Sequence, residues 1–268
     1  MSKEELISLV YEKLKSNENR LKEMFSSPEK KVKFFYIDDL LPTEISNKIS
    51  KAFNPKLNLF ERSSLREKKR VGVKYDEYDP ILKHFTHAIH SKKIIKLIED
   101  ITQMKHLEAD DSMYAAGLSS MAKGNFLNPH LDNSHDLKRK KYRSLNLLYY
   151  CSQDWKVEYG GNLELWHNGP KNPQETLLSS QNRLIVMKTD KNSWHSVSKV
   201  VFDRPRNCIS NYYFSELSPD EIDYNHVTSF RGRNDQFFRD IILRFDSGIR
   251  NFIRKFYKKQ HTNHHLGK

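Results

Sequence analysis

The stretch "NPHLDNS" sets His130 two residues before Asp132. In a strand, residues two apart point to one face, so an imidazole and a carboxylate would converge on a single point. A second imidazole, His195, stands in "NSWHSVSKV", and Arg206 follows eleven residues later in "RPRNCISNYYF". Two imidazoles and one carboxylate form a facial donor set that suits Fe(II) and leaves three positions of the metal open. An isolated H-x-D recurs by chance in many sequences. Its weight here comes from the later histidine and arginine, which a fold must carry back to His130 across 65 residues.

The elements needed for that are legible from about Met113, where the hydrophobic period becomes strand-like. We count eight strands, near 112–121, 126–133, 143–151, 162–167, 174–179, 183–188, 194–201 and 206–214. Turn signals part them: Lys123-Gly124-Asn125, Gly160-Gly161, Asn168-Gly169-Pro170, Asp190-Lys191-Asn192 and Asp203-Arg204-Pro205. Short strands with evenly placed turns predict a double-stranded β-helix, or jelly roll, in which the second and seventh strands lie side by side. The fold class is then mainly β with flanking helices.

Upstream, Ser2 and Glu5 fit a capping box, and Leu6, Val10, Leu14 and Leu21 follow at helical spacing, which predicts one helix to about Phe25. "VKFFYIDDLLPTEISNKISKAF" reads as strand, turn and helix, the basic stretch 61–70 as a loop, and 80–102 as one or two helices. His84, His87 and His90 on that segment are read as surface histidines, not ligands. We therefore divide the chain into a helix-rich flank packing on the core (1–111), the jelly-roll core (112–216) and a basic, amphipathic helical extension (217–268). In the extension Phe238, Ile241, Ile242, Phe245, Ile249, Phe252, Ile253 and Phe256 form an apolar stripe among Arg239, Arg244, Arg250, Arg254, Lys255, Lys258 and Lys259. The favoured reading is a helix docked on the sheet with its basic face in solvent; contact with an anionic membrane surface is the other. The tail "HTNHHLGK" reads as frayed.

The series "GNFLNPHLD … YRSLNLLYYCSQDWKVEYGGNLELW … NSWHSVSKV … RPRNCISNYYF" resembles the 2-oxoglutarate- and Fe(II)-dependent oxygenases of the prolyl 4-hydroxylase-like type, over about residues 112–216. "FFYIDDLLPTEI" is a weaker match upstream. The resemblance implies that His130, Asp132 and His195 hold the iron, that Arg206 grips the far carboxylate of 2-oxoglutarate, and that Tyr150 and Asn146 line the same site. The planar guanidinium fork suits a carboxylate. Fe(II), 2-oxoglutarate and O2 are the implied cofactors, with ascorbate as an accessory reductant. The implied activity is hydroxylation of a C–H bond with release of succinate and CO2. One position departs from the family: where a tyrosine often precedes H-x-D, this chain has Met121, which cannot donate a hydrogen bond.

Composition bounds the rest. The 268 residues carry a formal charge of +12, which either favours acidic partners or serves solubility alone, and 30% charged with 12% aromatic residues describe a soluble globular protein. No apolar run is long enough for a transmembrane helix and no secretory signal is seen. Cys151 and Cys208 make no disulfide framework, so the cytoplasm, with a peripheral membrane contact left open, is the expected compartment. The loop 133–142, with Lys138, Arg139, Lys140 and Lys141, would give the site a positive rim for a polar or anionic substrate, whether peptidyl, amino acid or sugar. Nucleic acid is disfavoured because Tyr212 stands where a demethylase carries its second arginine. The alternatives are a non-enzymatic, metal-binding jelly roll and a hydroxylase of surface or lipid-linked sugars.

Overall fold

The computed structural model of this chain describes residues 1–110 and 116–256. The predicted positions 112–115 and the tail from residue 257, with Lys258 and Lys259, lie outside the described residues. Helix α1 (Lys3–Ser16) opens with the expected reciprocal cap, Ser2 accepting from the Glu5 amide while the Glu5 side chain takes the Ser2 amide. The single helix expected to Phe25 is broken at Asn17, whose side chain bonds back to the Lys13 carbonyl, and α2 (Glu18–Ser26) starts afresh. After β1 (Phe34–Ile37) and α3 (Thr43–Ala52) the chain forms a hairpin, β2 (Phe60–Ser63) and β3 (Glu67–Gly72). Helices α4 (Pro80–Ile89) and α5 (Lys92–Thr102) follow.

The hairpin replaces the loop expected at 61–70. Its strands carry alternating charges and no apolar face, so they give no hydrophobic period. What holds them is backbone pairing, Phe60 opposite Val71 and then β3 against two core strands, with Ser64 Oγ accepting from the Arg66 amide at the turn.

The core strands are β4 (Glu108–Ala109), β5 (Gly117–Met121), β6 (Phe126–Leu131), β7 (Tyr142–Tyr150), β8 (Leu163–Leu165), β9 (Glu175–Leu177), β10 (Leu184–Lys188), β11 (His195–Val197) and β12 (Arg206–Ser215), followed by β13 (Ser229–Phe230) and α6 (Phe237–Phe256). All eight predicted strands are present. They curl into one antiparallel sheet in the order β1-β10-β7-β12-β5-β3-β6-β11-β8-β9, with β13 added to β6 and β4 to β12. This is the expected jelly roll, and β6 and β11, the second and seventh predicted strands, are neighbours.

Alternation along β7 decides what faces where. Leu145, Leu147 and Tyr149 point outward into a core shared with Leu6, Ile49, Phe85 and Ile98 of the helices. Tyr150 points inward with Leu163, Leu165, Ile185, Met187 and Cys208, and the strand period puts Asn146 on that inner face too. A one-residue slip would send Asn146 into the helical core and lose several buried leucine contacts, at about 2 kcal/mol for each side chain. The register is therefore strongly specified, and with it the set of side chains lining the interior.

Candidate metal centre

His130 and His195 face each other directly across the β6–β11 pair, their ring centroids 4.1 Å apart. Asp132 lies one residue past the end of β6. Its Oδ1 is 3.6 Å from His130 Nε2 and its Oδ2 is 3.7 Å from His195 Nε2. One ligand atom from each of the three lies within 4.8 Å of the others, and all three residues are buried.

Each imidazole is oriented by the main chain. His130 Nδ1 lies 3.0 Å from the Asn128 carbonyl and His195 Nδ1 lies 2.8 Å from the Ser193 carbonyl. A carbonyl only accepts, so Nδ1 carries the hydrogen and Nε2 presents a lone pair to the common point. Burial, with His130 close by, pushes His195 down to about 4, which keeps it neutral and able to ligate at neutral pH. For Asp132, burial alone would raise the carboxyl; the Arg143 guanidinium and the two imidazoles outweigh it and hold the group well below the usual carboxylate range. Asp132 Oδ2 is buried and accepts no hydrogen bond. A buried anionic oxygen of this kind, facing two imidazole lone pairs, fits a divalent cation.

Arg206, the first residue of β12, is buried on the inner face. Its Nε donates to the Gly161 carbonyl at 3.1 Å and its guanidinium carbon lies 5.5 Å from the Tyr150 ring centroid. Among the described residues no carboxylate comes within ion-pair distance of it, so the interior holds a buried cation open to an incoming anion. Met121 is packed directly on it, with Sδ 2.9 Å from Arg206 Nη2. The position where relatives often carry a tyrosine here contacts the arginine. Asn146 Oδ1, inside the barrel opposite Tyr212 and Met187, is buried and accepts no hydrogen bond.

The "DWKVEYGG" segment is what seats Arg206. Gly160 and Gly161 have φ of +70° and +67°, and a Cβ on Gly160 would come 1.9 Å from the Lys199 carbonyl oxygen. Trp155 Nε1 donates to the Gly160 carbonyl at 2.8 Å, fixing the turn. Only residues without side chains let this backbone cross so close to β12.

Two side chains at the site were not singled out from the sequence. Arg143 Nη1 lies 3.3 Å from Asp132 Oδ1, its guanidinium stacked over Tyr212 at 4.5 Å. It reaches the interior because a bulge at Ser144 of β7, opposite the step from Tyr213 to Phe214, shifts the β7–β12 register, and no local pattern announces that. Phe230 of β13 stacks on His130, centroids 5.0 Å apart and planes 15° from parallel. The hairpin strand β3 also borders the site, with Glu67 opposite Leu127 and paired to Lys69 at 2.8 Å.

A jelly roll that gathers two imidazoles, one carboxylate and an unpaired arginine in its interior defines a metal-dependent oxygenase. Residues 116–214 match the model of the 2OG-Fe(II) oxygenase superfamily. Similar solved structures include a prolyl 4-hydroxylase of Pseudomonas putida (13% identity, covering 73% of this chain and 98% of that one, TM-score 0.54). Another is a prolyl hydroxylase of Trichoplax adhaerens in complex with a hypoxia inducible factor peptide fragment (16%, 79% and 96%, TM-score 0.56). A third is a prolyl 4-hydroxylase of Phytophthora capsici (15%, 94% and 80%, TM-score 0.55). At these identities the similarity is one of fold. None of the curated proteins is similar in sequence to this one. The protein is a 2-oxoglutarate-dependent dioxygenase, with Fe(II) as cofactor and 2-oxoglutarate and O2 as co-substrates.

Proposed function

We propose that this dioxygenase hydroxylates a C–H bond of a polar or anionic substrate, converting 2-oxoglutarate to succinate and CO2. The observation that carries this reading is the buried Asp132 oxygen without a hydrogen-bond donor, set between two imidazoles that present Nε2 to it. When bound, Fe(II) supplies the site for O2 activation at the cost of 2-oxoglutarate decarboxylation. His130, Asp132 and His195 would occupy one side of the ion and leave the other open. Arg206 would hold the far carboxylate of 2-oxoglutarate, with Tyr150 and Asn146 beside it. Arg143 would keep the Asp132 carboxylate ionised and oriented. The apolar wall of Leu163, Leu165, Ile185 and Met187 excludes water from the reacting region.

The full chain with Fe(II), ascorbate and 2-oxoglutarate is expected to release succinate slowly without substrate. It should also gain thermal stability from 2-oxoglutarate once metal is bound. The absence of both succinate above a protein-free control and a 2-oxoglutarate-dependent shift would overturn the reading.

The substrate class rests on the loop 133–142, which leaves β6 directly after Asp132. Lys138, Arg139 and Lys140 are exposed, and among the described residues none has an acidic partner. Lys141 is spoken for by Glu108, so three cations and not four are free to form the rim. Loops beside a rigid site are where specificity resides, and a concentrated positive rim steers anions. Reversing Lys138, Arg139 and Lys140 to Glu is expected to cut turnover of the true substrate roughly tenfold or more, mostly in capture, and to flatten its salt dependence. Uncoupled succinate release should persist, because the interior is untouched. Unaltered substrate turnover and salt dependence in the triple variant would remove the rim from the account. The two buried, free cysteines support a cytoplasmic setting.

A further inference from the structure

Helix α6 is mounted with its apolar face outward, the reverse of the docked arrangement expected from its sequence. The side against the body carries Leu243, Asp240 and Ser247, all buried. Phe238, 80% exposed, and Phe245, 70% exposed, stand on the opposite side with Ile241, Ile242 and Ile249. The spacing i, i+3, i+4, i+7, i+11 makes these one continuous face. The side chains of Phe252, Ile253 and Phe256 lie outside the described residues.

The helix cannot roll to bury this face without breaking what seats it. Asp240 accepts from Arg231 Nε at 2.8 Å, from Arg231 Nη2 at 3.0 Å and from the Gly232 amide at 2.8 Å. Asp246 pairs with Arg66 and Arg250, and Ser247 Oγ accepts from the Phe230 amide at 3.1 Å. Both acids of the described helix are thereby held on the docked side. Arg244 stands exposed beside the aromatic residues, and a shallow groove along this face is lined by Ile241, Arg244, Phe245, Gly248 and Ile249. Beyond Asp246 the sequence has no further Asp or Glu, while Arg250, Arg254, Lys255, Lys258 and Lys259 continue the cationic run.

We propose that α6 lies in the surface of an anionic lipid bilayer, with Phe238, Ile241, Phe245 and Ile249 inserted among the acyl chains and the arginines at the headgroups. A face of Phe and Ile rimmed by cations, with the acids turned away from it, is the composition of an interfacial helix. Arginine can lay its alkyl stem along the apolar zone while its charge stays with lipid phosphate. No helix among the described residues is long and apolar enough to cross a membrane, so α6 would lie in the plane. A second copy of the chain is a poorer occupant, since it would bring two cationic faces of a +12 protein together. Through β13 the bound helix would stand one strand from His130. The inference is independent of the chemistry assigned to that residue.

Co-sedimentation of the full chain with phosphatidylcholine vesicles, with and without phosphatidylserine, tests this. Binding is expected only to the phosphatidylserine vesicles and should fall as salt rises. The double variant Phe238→Asp, Phe245→Asp should bind roughly tenfold or more weakly with its thermal unfolding unchanged, since both side chains are exposed. Arg244→Glu should weaken binding and flatten its salt dependence. Absence of sedimentation with phosphatidylserine vesicles, or equal binding by the double variant, overturns the proposal. So does a concentration-dependent dimer that the double variant abolishes without any vesicle binding, which would give the face to a second copy.

Discussion

Replacing His195 by alanine is expected to abolish 2-oxoglutarate turnover and to weaken metal binding by more than about 100-fold. Loss of a hydrogen-bonding partner behind a ligating histidine already costs about 10–100-fold, and loss of the ligand itself must exceed that. The imidazole has no replacement, because among the described residues only His130, Asp132 and His195 form a group able to hold a metal. The neighbouring side chains cannot swing in: Ser196 is held by Glu164 and Trp166 on the other face of β11. Removal leaves a small cavity beside His130, so the fold must be checked by circular dichroism and thermal unfolding. His195→Gln, closer in size, should share the loss of turnover with a smaller structural cost. Metal affinity by titration and succinate release by chromatography are the two readouts. Full activity in His195→Ala would remove this residue from the iron site.

Arg206→Ala should act on the co-substrate and leave the metal alone. Leaving a buried carboxylate without its charged partner costs about 2–5 kcal/mol, so the concentration of 2-oxoglutarate needed for half-maximal turnover should rise roughly 30-fold or more. The stability cost should be smaller, because Arg206 forms no ion pair with the described chain and gives up its bond to the Gly161 carbonyl and its contacts with Met121 and the Tyr150 ring. Arg206→Lys should recover part of the affinity, since a lysine keeps the charge without the fork. An unchanged requirement for 2-oxoglutarate would assign the carboxylate to another cation. Arg204 is poorly placed for this, being exposed with its guanidinium over the Phe202 ring.

Together the two variants separate metal binding from co-substrate binding. A protein that merely stored a metal in a jelly roll would lose metal affinity on His195→Ala and would be indifferent to Arg206→Ala.

The chain's own order of residues settled the eight strands of the jelly-roll core and which way their side chains alternate, because a period of two is a local property. It put His130 and Asp132 on one point, marked Arg206 at the start of a late strand, and marked the glycine pair that lets the backbone pass it. The capping of α1 by Ser2 and Glu5 was likewise local and legible. Other features depended on partners distant in sequence. The β2–β3 hairpin has no apolar alternation and exists through its pairing with β5 and β6. Arg143 meets Asp132 only because a bulge at Ser144 of β7 shifts the register. Phe230 covers His130 because α6 holds β13 against β6. The apolar stripe of α6 was plain in the sequence, but its direction was not. A helical stripe says that one face is apolar; which face turns inward is decided by the arginines and the serine that anchor Asp240, Asp246 and Phe230, and those contacts form only when the chain has folded.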